Sequence, residues 1–190
     1  ASAQTVFTDD FESYADTAAL QAVWTDNSTT PSGTLPAGLG VQLSTSRSIV
    51  PPSTGTKSGY DLYAHEGAYA ALPESIGETT PFLLTFYMWR DSISTSAGQT
   101  RCYLRFGPTT TTGSTMGAGW FNNATAPVNG VNDVIKGTNY QGYALVLGSG
   151  ANALFNLSDP GCPLRTVGWH KFDIERRADG STRYYVDNVL

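Results

Sequence analysis

Gly168-Trp169-His170-Lys171-Phe172-Asp173-Ile174-Glu175-Arg176-Arg177, Ala178-Asp179-Gly180-Ser181 and Thr182-Arg183-Tyr184-Tyr185-Val186-Asp187-Asn188-Val189-Leu190 are three consecutive segments whose reading decides the fold. In the first, His170, Phe172, Ile174 and Arg176 alternate with Trp169, Lys171, Asp173 and Glu175, the period-two pattern of a half-buried strand. Asp179-Gly180 is a hairpin signal, because Gly takes positive φ without steric cost and Asp tolerates it. Arg183 to Val186 then returns as a β-rich strand. The rest of the chain must supply a sheet that this hairpin can join.

Composition supports that demand. The 190 residues are enough for a large core in one domain, and only 14% are charged, while Gly and aromatics are plentiful. This favours strands and turns, so the expected class is all-β. The net charge of −5, with Arg176-Arg177 the one adjacent basic pair in the chain, argues against nucleic acid as a partner. No apolar run approaches the roughly 20 residues of a membrane-spanning helix. Ala1-Ser2-Ala3-Gln4 has the small-residue form left by signal-peptidase cleavage, which points to an exported protein. Sequons at Asn27, Asn123 and Asn156 fit export and mark candidate glycosylation sites. Cys102 and Cys162 are then expected to form one disulfide, worth about 4 kcal/mol in the chain-entropy picture, with two buried thiols as the alternative.

Upstream, Thr5 to Thr8 is expected as a short strand, with Phe7, Phe11 and Tyr14 as core anchors. Asp16 is expected to cap a single short helix, Thr17 to Ala22, with Leu20 and either Val23 or Trp24 on its buried side. Thr25 to Pro36 reads as a surface loop. Further strands are expected within Gly38–Val50, Tyr60–His65 and Ala68–Leu72. Phe82 to Arg90 is the clearest: Phe82, Leu84, Phe86 and Met88 alternate with Leu83, Thr85, Tyr87 and Trp89, apolar enough on both faces to be covered twice or to offer its second face as a groove. Of its residues, Tyr87 and Trp89 are expected in the core. Arg101–Phe106, Tyr140–Leu147 and Ala153–Leu157 follow as strands; Thr109–Gly119 reads as a loop of small residues.

About ten strands without a βαβ rhythm indicate a two-sheet sandwich. Two segments carry a resemblance. Thr8-Asp9-Asp10-Phe11-Glu12-Ser13-Tyr14, followed by Asp16 to Leu20 and Trp24, resembles the opening of secreted bacterial domains of the concanavalin A-like lectin/glucanase group, the laminin-G-like jelly rolls. Trp169-His170, the turn, and Tyr184-Tyr185-Val186-Asp187-Asn188 are similar to that group's "W-H … Y-V-D-G" hairpin, with Asn188 where Gly is usual. The resemblance implies a single all-β jelly-roll domain over residues 1–190. In such domains one or two strands follow the hairpin, so the stretch ending at Leu190 reads as a domain lacking its last strands or completed by another copy.

The group's glucanases carry E-x-D-x-x-E on one strand, and no such segment exists here; Asp173 and Glu175, two apart beside Lys171, fit a solvated face. His65 and His170 have no nucleophile at a telling spacing, and no Ser sits in a G-x-S-x-G elbow, so catalysis is not expected. Glycan binding needs aromatic faces and hydrogen-bonding groups, and Trp120, Asn122, Asn123, Tyr140 and Tyr143 are the expected set. Calcium sites occur in many jelly rolls of the group this chain resembles, and Asp9, Asp10, Asp133, Asp159 and Asp187 are available oxygen ligands, though at no consecutive ligand spacing, so no cofactor is required. The function expected is non-catalytic carbohydrate binding outside the cell or at its surface. The alternative is a structural subunit that polymerises through sheet edges.

Overall fold

The computed structural model describes residues 5–26, 41–45, 55–60, 68–74, 76–77, 80–90, 101–106, 116–121, 139–145, 152–157 and 160–190. They are mostly antiparallel strands with one short helix, as an all-β sequence requires. The chain divides into two compact units, Ala1–Ile76 and Gly77–Leu190.

In the first unit, α1 spans Thr17–Val23, and the Asp16 carboxylate accepts the Ala19 N–H at 2.9 Å, the N-cap that the sequence predicts. Leu20 is fully buried, whereas Val23 is exposed and Trp24 takes the inward place. Four short strands follow: β1 (Thr25–Asp26) pairs with β4 (Ala68–Tyr69), and β2 (Gln42–Ser44) with β3 (Ser58–Tyr60). Two expectations are corrected here. Thr25-Asp26 is paired rather than looped, and Thr5 to Thr8 forms no strand.

Asp9 holds the unit's aromatics in place. Its Oδ2 accepts from Tyr14 OH at 2.5 Å and Trp24 Nε1 at 2.7 Å, and its Oδ1 accepts the Phe11 N–H at 2.8 Å. These bonds set Phe11 into a stack on Trp24 with φ at 65°, a left-handed conformation that the carboxylate turn stabilises. Burial and the Asp9 carboxylate push the Tyr14 phenol up to about 12.

The second unit has two sheets. One is ordered β11-β10-β5, from β5 (Phe82–Arg90), β10 (Gly168–Arg176) and β11 (Thr182–Val186). The other is ordered β6-β7-β8-β9, from β6 (Arg101–Phe106), β7 (Met116–Phe121), β8 (Gln141–Leu145) and β9 (Asn152–Asn156). β5 and β10 pair over nine residues, from Gly168 opposite Arg90 to Arg176 opposite Phe82. The hairpin loop is the three-residue form: Gly180 donates to the Arg177 carbonyl at 3.0 Å and takes φ 83°, while Arg177 donates to Ser181 at 2.9 Å. A second tight turn follows β11, with Val186 and Val189 exchanging backbone bonds at 2.9 Å around Asp187 (φ 50°) and Asn188 (φ 68°). Asn therefore serves the positive φ for which Gly is usual.

Both sheets contribute to one core. Phe86 and Phe172 stack at 5.2 Å, and Tyr140 meets Phe172 edge-on at 5.2 Å. Ile174, Val186, Ala118 and Trp120 complete the buried cluster, with Leu84, Met88, Met116, Leu157, Cys162 and Tyr184 against it. The run expected as a loop up to Gly119 is instead strand from Met116, because Met116, Ala118 and Trp120 fall on one face at period two and find this core. Gly142 lies opposite Phe155, whose ring occupies the place a Cβ would need.

Two outcomes follow. Gly142→Ala must displace the Phe155 ring and should cost on the order of 1–3 kcal/mol by overpacking, read as a lower thermal midpoint. Burial pushes the Tyr184 phenol up to about 12, with Arg176 pulling the other way. Because the folded value lies above the unfolded one, that stabilisation is complete below about pH 10 and disappears as pH rises toward and past about 12. Urea midpoints should fall across that window, and fall less in Tyr184→Phe.

Candidate functional site

The register of β5, β10 and β11 divides their side chains into two sets. With Phe86, Phe172, Ile174 and Val186 inward, the alternating set lies on the opposite, outer face: Leu83, Thr85, Tyr87 and Trp89 on β5, Trp169, Lys171, Asp173 and Glu175 on β10, Arg183 and Tyr185 on β11. Trp89 sits directly opposite Trp169 and Tyr87 opposite Lys171. The two indoles meet edge to face at 5.7 Å and 67°. Tyr87, Trp89, Trp169 and Tyr185 are all half-buried, and Leu83 is 64% exposed.

Polar groups run beside these aromatics. Asp173 accepts from Thr85 Oγ1 at 2.5 Å and pairs with Lys171 Nζ at 2.7 Å. Glu175 accepts from Tyr185 OH at 2.9 Å and from Arg177 Nε at 3.3 Å. The Tyr185 hydrogen bond, with Arg177 and Arg183 nearby, holds the Glu175 carboxyl below the usual range. Lys171 also donates to Asn188 Oδ1 at 3.0 Å. Asp173, expected on a solvated face, is buried, while Glu175, Lys171 and Tyr185 are half-buried; the sheet thus offers ring faces together with an ordered carboxylate and cations, the two chemistries that sugar recognition combines.

The residues expected to bind glycan lie elsewhere. Trp120 is 6% exposed and Tyr140 fully buried, both in the core cluster, so their ring faces are covered by protein. Tyr143 is in β8, where its side chain is outside the described set, as are Asn122 and Asn123. Conversely, Tyr87 and Trp89, expected as core, are on the outer face. The alternation of β5 was visible in the sequence. What was not visible is the cross-strand partner: Trp89 becomes half of a platform only because the register sets Trp169 beside it.

His170 is buried. Nδ1 lies 2.7 Å from Asp187 Oδ2, and Nε2 lies 3.0 Å from Thr166 Oγ1 and 3.2 Å from the Thr166 carbonyl. Hydroxyl, imidazole and carboxylate stand in the order of a nucleophile, base and orienting group. The surrounding bonds give the set a structural role instead. Nε2 is shared with the carbonyl of the same threonine, whose N–H points to Tyr140 OH at 3.4 Å, and Asp187 Oδ1 accepts the Lys171 N–H at 3.0 Å. The imidazole ties the Asp187-Asn188 turn to the start of β10.

The other expected sites are only partly within the described residues. Cys102 is opposite Trp120 in the β6–β7 register, with its side chain outside the described set, and Cys162 packs against the core cluster containing Trp120. Asn156 is in β9 and its Oδ1 accepts from buried Gln141 Nε2 at 3.2 Å, whereas Asn27 lies outside the described residues with Asn123. Of the acids expected for calcium, Asp9 has three protein donors and Asp10 accepts the Glu12 N–H at 3.0 Å; Asp133 and Asp159 are outside the described residues. Nearby, Lys57 Nζ sits 3.2 Å from the Glu12 carbonyl and 2.8 Å from that of Tyr14. Among the described residues no three His, Cys, Asp or Glu side chains gather as a metal site, and no helix is long and apolar enough to cross a membrane. No family model, curated protein or solved structure matches the chain.

Asp187→Ala removes the acceptor of a buried imidazole N–H and of a backbone N–H, and should cost on the order of 1–3 kcal/mol, measured as a shift in urea midpoint. Thr166→Ser, which keeps the hydroxyl, should leave that midpoint nearly unchanged.

Proposed function

We propose that the protein is an extracellular carbohydrate-binding domain of the concanavalin A-like, jelly-roll kind, acting without catalysis through the outer face of β5, β10 and β11. The observation that carries this reading is the half-buried aromatic row of Trp89, Trp169 and Tyr87 on a face that also carries the half-buried Glu175 carboxylate, ordered by Tyr185. Aromatic faces cover the apolar faces of sugar rings, and carboxylates accept from sugar hydroxyls. Support for the jelly-roll assignment is the pairing of the Trp169-to-Val186 hairpin with β5 and the core common to two antiparallel sheets.

A structural subunit that packs on copies of itself would use the same aromatics, and the 64% exposure of Leu83 on β5 suits that use. A glycan array followed by calorimetry with the sugars it identifies separates the two. Sugar binding should weaken by about tenfold or more in Trp169→Ala while the thermal midpoint stays close to the parent. Trp120→Ala should behave oppositely, losing about 3–5 kcal/mol of stability because its indole is in the core. Silence on the array, together with ordered polymers in the microscope, would replace the carbohydrate reading with the structural one.

A further inference from the structure

Resting on the outer-face reading, we infer that the ligand is a neutral, linear polysaccharide held over several consecutive sugars, rather than an anionic glycan or a single terminal sugar. The first ground is charge. Lys171 is engaged by Asp173 at 2.7 Å and by Asn188 Oδ1 at 3.0 Å, Arg177 by Glu175 at 3.3 Å, and Arg183 lies across from Glu175 in the register. A uronate or sulfate would have to compete with the carboxylates already seated on Lys171 and Arg177, and would meet Glu175 beside Arg183, on a chain whose net charge of −5 repels polyanions. A seated carboxylate still serves a neutral sugar. An ionised carboxylate has about four lone-pair sites; Asp173 is buried and taken up by Thr85 and Lys171, but the sites of half-buried Glu175 left over by Tyr185 and Arg177 can accept from hydroxyls.

The second ground is extent. The face runs from the Trp89–Trp169 row through Tyr87–Lys171 and Thr85–Asp173 to Leu83–Glu175. At the rise of an antiparallel strand this is about 20 Å, longer than one sugar ring and aligned with the strands. Trp89, Trp169 and Tyr87 lie toward one end and Tyr185, beside the carboxylates, further along, so a single sugar covers only part of this surface and a chain covers more of it. On such a face affinity has to accumulate along the ligand.

The test is calorimetry of the intact chain with a neutral β-glucan series from monosaccharide to hexasaccharide, against an oligogalacturonate of equal length, at low salt and at about 0.5 M NaCl. The expected result is a hexasaccharide bound at least about tenfold tighter than the monosaccharide, at similar strength in both salts, with the uronate weaker. Trp169→Ala and Tyr87→Ala, each checked for an unchanged melting curve, should shorten the dependence on length. A preference for the uronate, binding that falls with salt, or an affinity independent of length would overturn this inference while leaving carbohydrate binding standing. Failure of every glycan in the array and the series would overturn both.

Discussion

Nine consecutive residue pairs join β5 to β10, and each pair sends its side chains to the same side of the sheet. Phe172 anchors the arrangement: fully buried, it stacks on Phe86 within the sheet and receives the edge of Tyr140 from beyond it. A slip of one residue would turn Phe172 and Ile174 to the outside and bring Lys171 and Asp173 into the core, a change no local repacking could absorb. The register is therefore over-determined by the core. Its outward consequence is that Trp89 and Trp169 have to meet.

The same constraint explains the treatment of charge. Lys171, Asp173 and Glu175 cannot leave the outer face, so each is settled there by a neighbour that the register brings within reach. At the end of the sheet, Asp187 joins His170, Nδ1 to Oδ2, and so fixes the turn that leaves β11. In the first unit Asp9 plays a comparable part for Tyr14, Trp24 and Phe11. In both units the acids nearest the suggestive motifs hold the fold together, and Tyr87, Trp89, Trp169 and Tyr185 are left half-open on the outer face of β5, β10 and β11.

Much of this was legible in the sequence. Period-two alternation located β5 and β10 with their inward and outward sets, Asp16 announced the helix, and Asp179-Gly180 announced the hairpin. The candidate site was legible only in halves. Trp120 follows a run expected as loop because Gly117, Ala118 and Gly119 lack β propensity, yet Met116, Ala118 and Trp120 alternate into the core. Tyr87 and Trp89 looked like core because a sequence shows that a strand is apolar on both faces without showing which face is covered. Cross-strand registry decides that, and it joins residues some eighty positions apart.

The protein has four tryptophans, at 24, 89, 120 and 169, each with its own indole N–H signal. A heteronuclear NMR titration with a neutral oligosaccharide reads all four at once. If the outer sheet face is the recognition surface, the signals of Trp89 and Trp169 move together along the titration while those of Trp24 and Trp120 hold still. Movement of Trp120, with Trp89 and Trp169 unchanged, would contradict the account.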